Sequence, residues 1–266
     1  VTARGIAETR IAMIGMGAAN VSAYRLLKTC GVNPAVVMAC DSKGLLHRGR
    51  GDIAAQAQRF AEKWAVCTET NPEGRTGGIA EALKGADACI AFSRPGPGVI
   101  RPEWIKRMAK DSIVFACANP VPEIWPEAAH AAGARIVATG RSDFPNQLNN
   151  SLVFPAIFRG TLDAEASAMS DEMALAAAHE LARCAEDQGL REDHILPGMA
   201  DWQAVPRIAA AVALEAQELG LSKLVFSREH YIECAATRIA HASAAAASAC
   251  APTAREPEQA PRHDLH

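Results

Sequence analysis

The side chains with the clearest chemical use in this sequence belong to an amide-rich run, residues 146–150. Asn146, Gln147, Asn149 and Asn150 follow closely after an apolar segment. Uncharged amides donate and accept hydrogen bonds, so a cluster of them suits a hydroxyl, a carboxamide or a carboxylate that must be held in one orientation. The run therefore predicts a pocket for a small polar ligand. The alternative is that Asn149 and Asn150 only cap the apolar segment that follows them.

A second group of residues has the spacing of a dinucleotide-binding turn. Gly15 and Gly17 lie between a strand pattern and a helix pattern, and the sequence departs from G-x-G-x-x-G only at Asn20. The first glycine permits a tight turn and the second lets the backbone approach a pyrophosphate. The helix that starts at Ala18 and Ala19 presents free amides to the phosphate charge. We expect slightly wider helix–strand packing at Asn20; the alternative for the whole motif is a glycine turn without a ligand.

The choice of cofactor depends on the residues that follow the second strand pattern. Asp41 stands close to where an acidic residue hydrogen-bonds an adenosine ribose, which favours NAD. Ser42 and Lys43 follow directly and two arginines come soon after, and these residues could receive the 2′-phosphate of NADP. The sequence leaves NAD and NADP open.

Two further strand patterns end in residues suited to a ligand. Ser93 follows one of them and Asn119-Pro120 follows the next. Open α/β sheets bind ligands at the carboxyl ends of their strands, so we expect both positions to border the site. For Asn119 the alternative is a local turn formed with Pro120.

The elements that must position these residues alternate along the chain. Short apolar runs separated by helical patterns predict a Rossmann-type, doubly wound parallel α/β sheet. The predicted strands are 10–15, 35–40, 88–92, 113–117 and 135–138. After residue 150 only helical patterns occur, which predicts a C-terminal helical extension. The predicted helices are 21–30, 52–65, 155–159, 170–188, 205–219 and 228 to about 246, with Asp52 as the N-cap of the second.

Composition excludes several classes of protein. The formal net charge is −3 and Lys/Arg runs are absent from the sequence, so nucleic acid is not an expected partner. No apolar stretch has the length of a membrane span, and we expect a cytoplasmic protein without a membrane partner. The eight cysteines form no C-x-x-C pair, which favours buried reduced thiols over zinc sites or disulfides.

Four segments together carry a resemblance to a known family. The sequence resembles the NAD(P)-binding domain of bacterial malic enzymes from about Arg10 to Leu224. The matching segments are Gly15–Ala19, Cys40–Gly44, Ala118–Ile124 and Ala138–Asn150. The last two are specific, because unrelated Rossmann proteins do not share them. The expected division of the chain is a linker from a missing preceding domain (1–9), a malic-enzyme-like NAD(P)-binding domain (10–225), a C-terminal helix (226–250) and a disordered tail (251–266).

The resemblance implies oxidative decarboxylation of L-malate to pyruvate and CO₂ with reduction of NAD or NADP. Asn119 and Asn150 are then expected to border the substrate. The expected cofactor-binding residues are Gly15, Gly17, Ala18, Ala19, Asn20, Asp41, Ser42, Lys43, Ser93, Asn119 and Asn149. The family also implies a homo-oligomer and a Mg²⁺ or Mn²⁺ ion.

The catalytic part of the family pattern is not matched in this chain. In the family, a preceding domain supplies the catalytic tyrosine, the catalytic lysine and three acidic metal ligands. Tyr24 and Tyr231 lie in no matching motif, and the acidic residues at 163, 165, 171 and 172 favour helix-end roles over metal binding. The chain is therefore expected to bind dinucleotide without turning over malate, as a fragment or as the partner of a separate catalytic half. The alternatives are a non-catalytic regulatory or interaction module and another Rossmann dehydrogenase.

Overall fold

A single six-stranded sheet organises the first 150 residues. The computed structural model describes residues 5–249, so the predicted tail, 251–266, and the first four residues of the predicted linker lie outside the described residues. The strands are β1 (Ile11–Ile14), β2 (Val37–Asp41), β3 (Gly44–Leu45), β4 (Ala88–Ala91), β5 (Ile113–Ala116) and β6 (Ile136–Thr139).

The strand order confirms the Rossmann-type prediction. The order is β3-β2-β1-β4-β5-β6, and every neighbouring pair except β2 and β3 is parallel. The short antiparallel β3 was not predicted, because two residues are too few to show a periodic pattern. All four side chains of β1 are buried, as expected for a central strand covered on both faces.

Helices cover both faces of the sheet. The helices of this region are α1 (Ala18–Thr29), α2 (Gly51–Ala54), α3 (Ala61–Glu69), α4 (Ile79–Leu83), α5 (Pro102–Ile105) and α6 (Pro126–Ala131). Ile11 and Met13 of β1 join the core formed with α1, α2 and α3, and Ala12 and Ile14 join the core on the opposite face, with α4, α5 and α6. The alternation follows from the two-residue period of a strand.

The predicted helix 52–65 is wrong in two respects. The segment forms two helices, α2 and α3, with a break over residues 55–60 that ends at Phe60, whose backbone is not helical (φ −121°, ψ 48°). Asp52 is also not an N-cap, since it lies within α2. Its carboxylate accepts hydrogen bonds from Arg50 and Lys43 instead of from backbone amides.

Four helices form the C-terminal extension. They are α7 (Phe154–Asp163), α8 (Asp171–Asp187), α9 (Ala204–Glu218) and α10 (Arg228–Ala249). The predicted bounds hold closely for α8 and α9, whereas α7 is longer at its C-terminal end than predicted. These helices share their own buried core. At the crossing of α7 and α9 only glycine fits, because a Cβ at Gly160 would lie 2.2 Å from the carbonyl oxygen of Ala209.

The acidic residues of this region have structural partners. Asp171 and Glu172 lie in the first turn of α8, as predicted, and the Ser170 side chain caps that helix by accepting from the Met173 amide. Asp163 has a different role from the predicted helix-end one. It is buried, and it pairs with the guanidinium groups of two arginines, Arg159 and Arg238.

The cysteines of the described residues are free thiols, and most are buried, as composition predicts. The seven cysteines among residues 5–249 are free thiols, and five of them are buried. Burial raises the pKa of Cys117 to about 12, with the Glu123 carboxylate as a second cause, so this thiol stays protonated at neutral pH.

Within the described residues, none of the helices is both long and apolar enough to cross a membrane.

A buried carboxylate on α8 ties three of these helices together. Glu180 is 1% exposed, and its Oε1 atom lies 2.8 Å from Arg207 Nε of α9 and 2.8 Å from Arg228 Nη2 of α10. Breaking a buried ion pair by removing one partner leaves the other charge uncompensated. Glu180 therefore contributes to the docking of α9 and α10.

We predict that Glu180→Gln lowers the free energy of unfolding by about 1.5–3 kcal/mol, the range for hydrogen bonds to charged groups. Urea denaturation measures the change. Glu186→Gln, at an exposed position of the same helix, is the matched control and should stay within about 0.5 kcal/mol of the parent chain. Equal stability of the two variants would contradict the assignment.

Candidate functional site

The carboxyl ends of the five parallel strands lie at one edge of the sheet. The loop that follows β1 is fixed there by Gly15, which has a φ of 86°. A Cβ at Gly15 would lie 2.5 Å from the Phe92 carbonyl oxygen and 2.8 Å from Ser93 Cα. Glycine is therefore required at this position both for its backbone conformation and for the close approach of the loop that follows β4.

The start of α1 is open to solvent. Gly17 is the N-cap residue of α1 and has no side chain to cap the helix, and Gly17, Ala18 and Ala19 are exposed. A Cβ added at Gly17 would meet no atom within 4 Å. Free backbone amides and the positive end of the helix dipole at such a place bind anions, and phosphate is a common one. The geometry fits a pyrophosphate.

Asn20 stabilises the Gly15 turn from inside the fold. The side chain is fully buried, and its Nδ2 atom lies within hydrogen-bond distance of the carbonyl oxygens of Ile14, Gly15 and Ile90. Among the described residues, Asn20 Oδ1 has no hydrogen-bond partner. The amide thus links helix and strands where the common motif has glycine. Its side chain holds the Gly15 turn in place and does not face the open part of the site.

Asp41 lies at the end of β2 in a cluster of cations. Its carboxylate accepts two hydrogen bonds from Arg50, one from Lys63 and one from the backbone amide of Lys43. Burial would raise the pKa of Asp41, but the hydrogen bonds from Arg50 and Lys63 outweigh it and lower the pKa. A carboxylate has about four acceptor positions, and all are used here. A ribose hydroxyl would have to displace one of these donors.

A cavity of about 540 Å³ lies beside Asp41, on the side of the Gly15 loop where β4 ends. Ser42 and Ser93 line it, and its outer wall includes Trp104, over whose ring the Arg101 guanidinium lies at 5.2 Å. Pockets for small ligands have this volume and this mixture of aromatic and polar walls. Asp41, Ser42 and Ser93, predicted from separate motifs, are thus brought together at one cavity. Lys43 is exposed nearby and pairs with Asp52.

The structure also shows a buried carboxylate that the sequence did not reveal. Glu123 is 0% exposed, and it accepts hydrogen bonds from the backbone amides of Ser93 and Ala118 and from the Ser93 hydroxyl. Its position shortly after Asn119-Pro120 was visible in the sequence. Nothing in the sequence distinguished it from an exposed glutamate of a loop.

Asn119 lies against the loop that follows β6. Its backbone is at the end of β5, and its amide side chain lies so close to Gly140 that a Cβ there would be 2.9 Å from Asn119 Oδ1. Asn119 is exposed, whereas Thr139, the last residue of β6, is fully buried. The structure thus joins the Asn119 turn to the segment that leads into the amide-rich run.

The four amides of the run have different environments. Asn146 is buried and binds the Val137 and Glu192 carbonyl oxygens, so it fixes a loop and does not face a ligand. Asn149 caps a 3-10 helix, Asn150–Leu152, by accepting from the amide of Ser151. Gln147 is partly buried beside Thr139, and Asn150 is exposed. Capping is thus observed for Asn149, and Asn150 is the amide best placed for a ligand.

A bound metal ion needs several ligating side chains close together. Over residues 5–249, no three His, Cys, Asp or Glu side chains are grouped so that they could hold a metal ion. The Mg²⁺ or Mn²⁺ ion that the resemblance implies stays a prediction.

Comparison with known proteins decides the family. The model of the family described as "Malic enzyme, NAD binding domain" matches residues 1–217. The chain belongs to this family. It is 38% identical to the NAD-dependent malic enzyme of Geobacillus stearothermophilus, over 81% of this chain and 43% of that protein. It is 36% identical to the NADP-dependent malic enzyme of Halomonas elongata, over 84% of this chain and 54% of that protein.

A solved structure agrees with the same conclusion. The malic enzyme of Entamoeba histolytica superposes with a TM-score of 0.89 at 42% identity, covering 96% of this chain and 53% of that one. The chain thus spans about half the length of these three malic enzymes, and it spans 30% of others, such as the NADP-dependent malic enzyme of Escherichia coli. The relatives that match include both NAD-dependent and NADP-dependent malic enzymes, so the comparisons leave the choice between the two cofactors open. Family membership also sets aside the prediction of a different Rossmann dehydrogenase.

We predict that alanine lowers stability at one glycine of the turn and cofactor affinity at the other. Gly15→Ala should lower the free energy of unfolding by about 1–3 kcal/mol, because of its backbone conformation and the Phe92 carbonyl. Gly17→Ala should fold with parental stability but weaken dinucleotide binding by about tenfold, since the new methyl group points into the open site. Thermal denaturation and cofactor titration measure both effects. Parental cofactor affinity of Gly17→Ala would contradict the placement of the pyrophosphate.

We predict that Asn149→Ala lowers the free energy of unfolding by about 1 kcal/mol through loss of the cap, whereas Asn150→Ala leaves it unchanged. Urea denaturation of the two single variants separates the positions. A loss of stability at the exposed Asn150, equal to that at Asn149, would show that both amides are structural.

Proposed function

We propose that this chain is the dinucleotide-binding portion of an NAD(P)-dependent malic enzyme, which converts L-malate to pyruvate and CO₂. The observation that carries the proposal is the convergence of the open α1 start, the Asp41 cavity and the Asn119 turn at one edge of the sheet. The names of the relatives, NAD- and NADP-dependent malic enzymes, support it. Each of these three features suits a different part of the cofactor or of the substrate.

The chain's own residues would bind and orient the reactants. The amides of Ala18 and Ala19 would hold the pyrophosphate at the start of α1. Ser42, Lys43 and the Asp41 cluster would take the adenosine end, on the wall of the cavity that the residues after β2 form. Ser93, Asn119 and Asn149 would border the nicotinamide, which supplies the hydride acceptor when the cofactor is bound.

The substrate would be held by amides. Asn119 and Asn150 would bind the hydroxyl or a carboxylate of malate, because amides can donate to a carboxylate and also accept from a hydroxyl. Abstraction of the hydroxyl proton needs a general base, and the developing enolate needs an electrophile such as Mg²⁺ or Mn²⁺. We propose that both come from a catalytic half, meaning the part of the malic enzyme relatives that lies outside the match to this chain.

The outer face of α7 is the surface on which this catalytic half would dock. Phe154, Phe158 and Leu162 are 52%, 51% and 63% exposed, and with Pro155 they form a continuous apolar stripe on α7. The stripe begins four residues after Asn150, so a domain seated on it would also reach the substrate end of the site. Exposed apolar stripes of this kind mark interaction surfaces.

A homo-oligomer and a cytoplasmic location stay predictions.

The chain alone should bind NAD(H) or NADP(H), yet it should not reduce cofactor when L-malate and Mn²⁺ are added. Cofactor titration tests the first statement, and absorbance at the wavelength of reduced nicotinamide tests the second. Binding without turnover is the expected result. Steady malate-dependent reduction by the chain alone would overturn the proposed division of labour, and absence of any cofactor binding would overturn the proposed function.

A further inference from the structure

The loops that follow β4 and β5 are held together by one side chain. Glu123 Oε1 lies 2.7 Å from the Ser93 amide nitrogen and 2.9 Å from Ser93 Oγ, and Oε2 lies 3.0 Å from the Ala118 amide nitrogen. Each carboxylate oxygen thus serves a different loop. Ser93 follows β4 by two residues, and Ala118 immediately precedes Asn119.

The hydrogen bonds of Glu123 require a side chain that accepts at both of its terminal atoms. Both backbone amides point at it as donors, so the group that joins them must accept at both ends. A glutamine would offer one acceptor and one donor, and its NH₂ group would face a backbone N–H whichever way it turned. Since Glu123 is fully buried, water cannot readily take over the unpaired donor.

We propose that Glu123 is a positioning residue of the dinucleotide site, which fixes the spacing between Ser93 and Asn119 before the cofactor arrives. The inference rests on the proposed function, because it assigns these two residues to the nicotinamide end of the cofactor. A second contact continues the clamp, since the backbone carbonyl of Glu123 accepts from the Ile100 amide. The whole loop after β4 is therefore tied to the Glu123 segment at both of its ends.

Because Glu123 orders these loops before the cofactor binds, its loss should affect only part of the cofactor's binding energy. Binding energy is lost when a ligand must first order the loops that hold it, so a loosened clamp weakens only the contacts that those loops make. The pyrophosphate end depends on Gly17 and the start of α1, whereas the hydrogen bonds of the Glu123 side chain go to Ser93 and Ala118. Loss of Glu123 should therefore weaken the nicotinamide half of the cofactor more than the adenosine diphosphate half.

The test compares NAD(P)H with ADP-ribose, which lacks the nicotinamide ring, as ligands of Glu123→Gln. We expect affinity for the dinucleotide to fall about tenfold and affinity for ADP-ribose to fall less than about threefold. Glu180→Gln is the matched control, because it also replaces a fully buried, hydrogen-bonded glutamate but lies on α8, outside the site. It should lower stability and leave both affinities unchanged.

Other outcomes are decisive against the proposal. Unchanged affinity of Glu123→Gln for both ligands, or an equal loss for both, would overturn it, since an equal loss indicates a general structural defect. If Glu123→Gln fails to fold, Glu123→Asp decides in its place, because it keeps the charge but is one methylene too short to reach both loops. Its dinucleotide affinity should fall with the same selectivity.

Hydrogen exchange separates this inference from the proposed function. In the ligand-free parent chain the amide protons of Ser93 and Ala118 should exchange slowly, and Glu123→Gln or Glu123→Asp should accelerate both, while Glu180→Gln should not. Fast exchange of either proton in the parent chain would contradict a preformed clamp. A parent chain that shows the clamp but binds neither dinucleotide would instead contradict the proposed function.

Discussion

The close approach of two loops at Gly15 is the constraint on which the rest of the site depends. The Phe92 carbonyl and Ser93 Cα occupy the space in which any side chain at this position would lie. Asn20 holds the same turn from inside the fold by bonding to the ends of β1 and β4. As a result, the start of α1 and the loop after β4 face one another across the edge of the sheet. We propose that a bound dinucleotide contacts both.

From this contact the site extends along the edge of the sheet, first through hydrogen bonds and then through a close van der Waals approach. Glu123 connects Ser93 to Ala118, and the Asn119 amide lies over Gly140 in the loop after β6. On the other side, Asp41 is held by Arg50 and Lys63. The edge thus consists of rigid segments, each fixed by its neighbour. In the proposed function, such an edge orients a cofactor and a small acid, and the groups that move protons belong to the catalytic half.

Most of the sheet could be predicted from the sequence, because buried parallel strands are short apolar runs and each ended in a recognisable turn. The glycine turn between β1 and α1 could be predicted for a similar reason, since its glycines follow from local backbone chemistry. The roles of this turn and of Asp41 in cofactor binding stay predictions. The break of the 52–65 helix could not be predicted, because the residues between α2 and α3, 55–60, include neither glycine nor proline. The loss of Asp52 as an N-cap could not be predicted either, since its hydrogen bonds with Arg50 and Lys43 depend on side-chain contacts that periodicity does not contain.

Burial of polar groups was the other feature beyond the reach of the sequence. Glu123 and Asn146 are residue types that are usually exposed, and only the fold shows that both are buried and hydrogen-bonded. The amide-rich run was interpreted as one group, yet the structure divides it into a buried loop anchor, a helix cap and an exposed amide. A sequence pattern can locate a site, but the partner of each side chain depends on tertiary contacts.

The most direct measurement of the central claim is a crystal structure of the chain with NAD⁺ or NADP⁺ bound. The pyrophosphate should lie at the amides of Ala18 and Ala19, and the nicotinamide should lie between Ser93 and Asn119. The Gly15 turn and the Glu123 contacts should be unchanged from those described here. A cofactor bound at another edge of the sheet, or one that binds only after the Gly15 and Ser93 loops separate, would contradict the account.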